Sequence, residues 1–223
     1  DSFNAIAFNQ NIGNWDTSQV RDMSFMFESF PPTAQPHSFN KPLKNWDVSS
    51  VESFEAMFYN SNFNQDIGKW NISNAKSLRA MFEYSNFNFD IGDWNTSSVT
   101  SMHRTFSQAS SFNRDIGKWN TSNVNDMEIM FDGATNFNQN LTGWCVSNIA
   151  SEPNNFSTNS ALTNPNKPLW GKEFTIALTS GSAAQTVSAT TAITPVEYTI
   201  SSICSATISV SASNLPTGVT ASL

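Results

Sequence analysis

Few residues of this chain have the types and spacing that chemistry needs. Carboxylates recur at one position of a repeated motif, at Asp66, Asp90 and Asp115. Calcium binds clustered carboxylate and carbonyl oxygens, so such a column is a conceivable metal site. No D-x-[DN]-x-[DN]-G loop occurs in the sequence, however, and we therefore expect no bound metal.

The two histidines and two cysteines lie in unrelated segments. A structural zinc site needs about four suitably spaced ligands, and His37, His103, Cys145 and Cys204 do not supply them. No Ser/His/Asp or Cys/His grouping is available either. We therefore expect no catalytic residue and no cofactor, and infer that the chain is not an enzyme. Geometry decides whether the cysteines pair, and our expectation is that they do not.

The charge balance excludes some partners. The net charge is −7 and only 13% of the residues are charged, which argues against nucleic acid and against an anionic membrane surface. No run of about 18 apolar residues suggests a transmembrane helix, so we expect no direct membrane insertion. The chain starts without Met and within the motif, and it stops within a strand-rich stretch. We interpret it as a piece of a larger protein, in which an export signal cannot be judged.

A repeated unit must position all of these residues. Residues 112–131 give one copy, F-N-x-D-I-G-x-W-[DN]-T-S-x-V-x-x-M-x-x-M-F, and the steps between successive copies of its Trp are 31, 24, 24, 25 and 25 residues. A fixed period of this size is typical of a solenoid. Aromatic residues make up 13% of the chain, and their regular placement indicates a packed core rather than disorder.

The unit divides into three predicted pieces. Residues 63–67 represent a short strand, and Gly68 and the following polar residues a turn. Val124, Met127, Met130 and Phe131 have the spacing of one helix face, and the preceding Ser122 is placed as its cap. The fold class predicted for residues 1–172 is thus an α/β repeat solenoid, leucine-rich-repeat-like. It would have about six coils of 24–25 residues, each with a short strand and a helical turn, and a C-terminal cap from about residue 145.

Two columns of the repeat, one of tryptophan and one of asparagine, could serve either packing or recognition. We interpret the tryptophans as repeat core, since a recurring aromatic is more often packing than recognition. These are Trp15, Trp46, Trp70, Trp94, Trp119 and Trp144. We interpret the asparagines as a structural ladder that satisfies backbone groups, with a row of ligand contacts as the alternative. These are Asn9, Asn40, Asn64, Asn88, Asn113 and Asn138.

An insertion interrupts the repeat at residues 28–38. Insertions of this kind become loops on one face of a repeat array, and that face often binds partners. Phe30, Pro31, Pro32 and His37 are therefore the candidate partner-contact residues.

The composition changes after Glu173. Residues 175–178, 186–189, 196–200 and 207–211 read as short strands. Their spacing predicts an all-β, immunoglobulin-like sandwich over residues 173–223, which we expect to be truncated because such domains are about twice this length.

The repeat unit strongly resembles that of BspA-like leucine-rich-repeat surface proteins, over about residues 3–172. Residues 144–171 are similar to the closing segment of such arrays, although Lys172 and Glu173 stand where those arrays commonly have a second Cys. Residues 214–219 resemble a late-strand motif of immunoglobulin-like domains in large bacterial adhesins. The resemblances imply a secreted, extracellular cell-surface protein, exported in some bacteria by type IX secretion, that serves adhesion or protein contact.

The function expected from this is a non-enzymatic adhesion or protein-interaction module. Its partners would be a host or neighbouring-cell surface protein or glycan, together with other domains of the same large protein. Two alternatives remain open: a spacer or tip domain without its own ligand, and a binder of polysaccharide or another periodic surface. The second alternative draws on a recurring Thr-Ser pair, for example Thr96-Ser97 and Thr121-Ser122.

Overall fold

The computed structural model describes residues 7–171, the backbone of two strands, Phe174–Ser180 (β1) and Glu197–Ser202 (β2), and Cys204. The chain divides into two compact units, Asp1–Lys172 and Glu173–Leu223. No helix in the described part of the chain is long and apolar enough to cross a membrane.

In the first unit the repeats stack as coils, and much of the backbone hydrogen bonding runs from one coil to the next. The N–H groups of Phe54, Ala56 and Phe58 donate to carbonyls of the following coil at 3.1, 2.8 and 3.0 Å. Between them, the N–H groups of Met57 and Tyr59 donate to carbonyls three residues back, at 3.2 and 3.1 Å. The segment is therefore a series of overlapping turns that is hydrogen-bonded to the following coil.

This pattern corrects the predicted α/β solenoid, which is wrong. No residue of 7–171 lies in an α-helix, and one three-residue 3-10 turn spans Asn164–Asn166. In an α-helix each backbone N–H bonds to the carbonyl four residues back. In this segment the N–H groups bond instead to the next coil or to the carbonyl three residues back. One repeat position also has a left-handed backbone, with φ values of 50°, 52° and 57° at Ala56, Ala80 and Arg104. A residue in that conformation interrupts a right-handed helix in every coil.

The predicted strand over 63–67 and the helix-capping serine are wrong as well. Isolated parallel bridges occur in the described coils, but they lie elsewhere, for example between Ser53 and Ser77. The N–H of Asn64 donates to the side-chain oxygen of Asn40 at 3.0 Å instead of to a backbone carbonyl. Because a side chain takes this bond, no regular ladder forms there. Ser122 caps no helix, and its N–H donates to Oδ1 of Asn120 at 3.1 Å.

The core is built from two columns of phenylalanine that stack against each other. The Phe that ends one repeat unit stacks on the Phe that begins the next. The ring centroids of Phe58 and Phe63 are 4.0 Å apart, and those of Phe82 and Phe87 are 4.3 Å apart. Along the stack, Phe58 lies 5.8 Å from Phe82. These rings are fully buried, and each buried Phe contributes about 1.5–3 kcal/mol. The apolar spacing that suggested a helix face is thus the inward face of a turn-rich coil.

The segment after Trp144 covers the last coil. The ring of Phe156 meets Phe131 edge-on at 5.4 Å, and Trp170 meets Phe156 edge-on at 4.8 Å. Backbone N–H groups of Ile129 and Phe131 donate into this segment at 3.1 and 2.8 Å. The end of the phenylalanine core is therefore closed by residues that depart from the repeat.

In the second unit, β1 and β2 pair antiparallel, with an irregularity between Leu178 and Ser180. The described residues of this unit show one two-stranded sheet and no second sheet packed on it, so the predicted immunoglobulin-like sandwich is wrong. The strands predicted at 186–189 and 207–211 lie outside the described residues. Cys145 and Cys204 are both disulfide-bonded, so neither is a free thiol.

A candidate recognition groove

The six asparagines of the repeat form a continuous side-chain ladder. Oδ1 of Asn9 accepts the backbone N–H of Asn40 at 3.0 Å, and Asn40 does the same for Asn64. The pattern continues at 3.0–3.2 Å through Asn88, Asn113 and Asn138. The last member accepts the N–H of Thr163 at 3.0 Å, in the covering segment. Each of these oxygens is engaged by a backbone donor, which leaves the column a structural role.

The tryptophans tie neighbouring coils together through their indole N–H groups. Five of them are at most 4% exposed and donate to a carbonyl one coil earlier at 2.9–3.1 Å. These are Trp46, Trp70, Trp94, Trp119 and Trp144. Trp15, which we also predicted to be core, is 56% exposed, so the interior role belongs to the other five.

The aspartate column closes short turns. Oδ1 of Asp66, Asp90 and Asp115 each accepts the N–H of the glycine two residues later, at 2.9 Å. Within the described part of the chain, no group of three or more His, Cys, Asp and Glu residues is arranged to hold a metal ion.

The insertion at 28–38 is held against the coils by Asn60. Its side-chain amide donates to the carbonyls of Ser29 and Ala34 at 3.0 and 3.2 Å. His37 lies inside, only 2% exposed, where Nδ1 accepts the N–H of Phe39 at 3.1 Å. Burial lowers the pKa of His37.

The candidate contact residues thus separate in the structure. Phe30 is 73% exposed. Pro31 is exposed and Pro32 is half-buried. His37 presents almost no surface, so Phe30 and Pro31 are the two that offer a partner most contact area.

Next to Phe30 lies an open groove of about 340 Å³, which we call the aromatic groove. Three repeat positions line it. The left-handed position supplies Phe25, Ala56, Ala80 and Arg104 from successive coils. The position immediately before it contributes Glu55, Arg79 and His103. The position three residues after it contributes Glu28, Tyr59 and Glu83.

The groove exists because two consecutive left-handed positions are alanine. Ala56 and Ala80 have only a methyl group, whereas the same position carries Phe25 one coil earlier and Arg104 one coil later. Side chains on either side therefore stand above a shallow floor. Non-glycine residues adopt a left-handed backbone at a cost, so this geometry is sustained by the bonds between coils.

Charged side chains in the groove are arranged around a buried carboxylate. The side chain of Glu83 is 4% exposed, and Nη1 of Arg104 lies 3.0 Å from its Oε1. Burial raises the pKa of Glu83, and Arg104 opposes that change. Burial, with the nearby charge of Glu83, raises the pKa of Tyr59 to about 12. The guanidinium of Arg79 pairs with Glu55 at 3.4 Å.

Exposed aromatic rings lie in the groove and beside it. Phe25 is 50% exposed and Tyr84 is 38% exposed. Tyr84 meets Tyr59 edge-on at 5.7 Å, and Phe30 lies 6.2 Å from Tyr59. Our sequence analysis found Phe30 but missed the other rings and Arg104. The available signal was the variability of these positions between the buried columns of the repeat.

The fold and the groove define a stacked-repeat protein with one irregular, aromatic surface. Residues 2–85 and 60–169 match the family described as "Mycoplasma protein of unknown function, DUF285", and the chain belongs to that family. The match supports a bacterial surface-type repeat protein, the coarser part of the resemblance, and does not single out BspA-like leucine-rich repeats. Comparisons with curated proteins and with solved structures gave no significant match.

Proposed function

We propose that this chain is a non-enzymatic adhesion or protein-interaction module of a larger secreted bacterial protein of the BspA-like kind, and that the aromatic groove is its contact surface. One observation carries the proposal: exposed phenylalanine rings line the groove, whereas the aromatic columns of the repeat, apart from Trp15, are packed inside. Phe25 and Phe30 are 50% and 73% exposed. Clustered exposed aromatics mark interaction sites, where Tyr and Trp anchors dominate binding energy.

An extracellular location is part of the proposal. Cys145 and Cys204 are disulfide-bonded, and disulfides persist in oxidising environments such as the cell exterior. The net charge of −7 keeps such a module soluble and disfavours nonspecific binding to polyanions. The disulfide bonds are the feature that supports a module that works outside the cell.

The open alternatives are a spacer without a ligand and a binder of a periodic surface. The Thr column that would face a periodic surface is buried: Thr96 and Thr121 are at most 1% exposed. Their hydroxyl groups donate to carbonyls of the next coil at 3.0 and 2.7 Å. The bonds between coils would also serve a stiff spacer, but a spacer has no need of exposed rings in one groove.

A paired array experiment tests the proposal. Immobilised wild-type chain and the double variant Phe25→Ala, Phe30→Ala are probed with a peptide array and a glycan array. We expect saturable binding by the wild type that the double variant loses. Phe89→Ala is the matched control, because Phe89 is 38% exposed but does not line the groove. A wild type that binds nothing on either array would refute a recognition role for the groove. Equal binding by the wild type and the double variant would refute it as well.

A further inference from the structure

We propose that the aromatic groove accepts an arginine side chain of a partner polypeptide, with the guanidinium paired to Glu28 above Ala56. This inference rests on the proposed function and names the chemistry of its partner. It is carried by an ion pair that the repeat itself forms two coils further along the stack.

That internal pair supplies the pattern. Arg104 occupies the left-handed position of its coil, with φ 57°. Its Nη1 reaches back to Oε1 of Glu83, 3.0 Å away, in the preceding coil. The left-handed residue of one coil thus pairs with a glutamate of the preceding coil. That glutamate lies three residues after the left-handed residue of its own coil.

Two coils earlier, the same positions hold Ala56 and Glu28. Glu28 corresponds to Glu83, and Ala56 corresponds to Arg104. Among the described residues, the ion pairs engage Glu52, Glu55, Glu83 and Glu152 but not Glu28. The place that Arg104 fills beside Glu83 is therefore occupied by a methyl group beside Glu28.

The environment of Glu28 favours a cation. Its side chain is half-buried, and burial raises its pKa, because the charged form is less well solvated in the folded protein. A guanidinium would supply a compensating positive charge and two parallel donors.

Aromatic rings line the same groove. Phe25, Phe30 and Tyr59 line the groove together with Glu28 and Ala56. Ring faces attract guanidinium groups through cation–π contact, and Arg stacks on them better than Lys. A neutral glycan could stack on the rings but would leave the charge of Glu28 uncompensated. The combination of rings and one unmatched carboxylate therefore favours arginine.

The probe is the tripeptide acetyl-Gly-Arg-Gly-amide, titrated into the full chain and followed by NMR. Its citrulline analogue has nearly the same shape without the charge. Two variants test the site. Glu28→Gln removes the charge. Ala56→Arg places an arginine of the chain itself at the repeat position that Arg104 occupies two coils later. Asp93→Asn is the matched control, because that carboxylate is 73% exposed and does not line the groove.

We expect the arginine peptide to bind the wild type and the control variant alike. Binding should weaken about tenfold or more in Glu28→Gln and with the citrulline peptide, and it should be lost in Ala56→Arg. Glu28→Gln keeps the test decisive if Ala56→Arg does not fold. Equal binding of the citrulline peptide, no loss in Glu28→Gln, or no saturable binding by the wild type would overturn the inference. Retained array binding that depends on Phe25 and Phe30 would then leave the proposed function standing with a different partner chemistry.

Discussion

The indole N–H of Trp94 donates to the backbone carbonyl of Ile67, one coil earlier, at 3.1 Å. Both residues are nearly completely buried, at 4% and 1% exposure. The same bond recurs at 3.0 Å between Trp119 and Ile91. The ring fills the core, and its N–H bonds to a carbonyl of the preceding coil that also accepts a backbone N–H: for Ile67 this is the N–H of Trp70, at 3.0 Å. Tryptophan at this position therefore adds a hydrogen bond between coils to the packing of the core.

Trp94→Phe should therefore cost more than lost ring volume. The substitution removes the indole donor from the Ile67 carbonyl, which keeps the N–H of Trp70 at 3.0 Å, and a lost hydrogen bond of this kind costs about 0.5–1.5 kcal/mol net. Urea unfolding of the full chain measures the change. Trp15→Phe is the matched control: its ring is 56% exposed, so its effect should stay within about 0.5 kcal/mol. Equal losses in both variants would contradict a role for the buried bond.

Asn88→Ala should weaken the asparagine ladder. The Oδ1 atom of Asn88 accepts the N–H of Asn113 at 3.1 Å, and a hydrogen bond of this kind is worth about 1 kcal/mol net. Asn88→Asp keeps an acceptor oxygen and should lose less stability at neutral pH. The unfolding midpoints in urea decide between them. A loss for Asp as large as that for Ala would contradict the role of Oδ1 as the acceptor.

Gly92→Ala should destabilise the stack by forcing two coils apart. A Cβ at this position would lie 2.5 Å from the carbonyl oxygen of Asp115, in the next coil. Overpacking of this kind costs about 1–3 kcal/mol. At Gly143 the nearest atom would lie 3.7 Å away, which is ordinary contact. Gly143→Ala should therefore be neutral or slightly stabilising in the same urea experiment, and a loss as large as that of Gly92→Ala would refute the steric explanation.

The stability of the chain should fall on acidification through a contribution from His37. Burial lowers its pKa below the ordinary value of 6.5. As the pH falls below 6.5, the unfolded chain therefore binds a proton that the folded chain does not, and the folded state loses stability. The residues at the same position of the next two coils are Ser61 and Ser85, whose hydroxyl oxygens accept the equivalent N–H groups at 3.1 and 3.2 Å.

His37→Ser follows that pattern and removes the titrating group. Urea unfolding between pH 7.5 and 5.5 should show a steeper loss in the wild type than in His37→Ser. Carboxylates such as Glu28 and Glu83 titrate in both proteins and cancel in the difference. Parallel stability curves would contradict the assignment to His37.

The repeat positions could be assigned from the sequence, because a side chain that recurs at coil spacing must have a repeated environment. Asn64 and Trp70 are examples. The backbone could not be assigned, since buried residues at i, i+3, i+6 and i+7, such as Val51, Phe54, Met57 and Phe58, suit a helix and a series of turns equally. The left-handed conformation of Ala56 has no composition signal, because alanine normally favours helices.

The groove was harder to predict than the columns. It depends on which residues of neighbouring coils come side by side, and that register follows from bonds such as the one from Ala56 N–H to the Arg79 carbonyl, at 2.8 Å. The sequence did indicate that recognition would lie where the repeat pattern is broken. It named Phe30 but gave His37 equal weight, because burial of an inserted residue depends on how the insertion folds back.

Recognition through the aromatic groove is tested most directly by the affinity of the strongest array ligand for the wild type and for the double variant Phe25→Ala, Phe30→Ala. Both rings are at least half exposed, so their removal should leave the unfolding midpoint unchanged. The predicted result is an affinity at least about tenfold lower in the double variant, since two aromatic anchors are lost. Equal affinities of two equally stable proteins would contradict the groove as the binding surface.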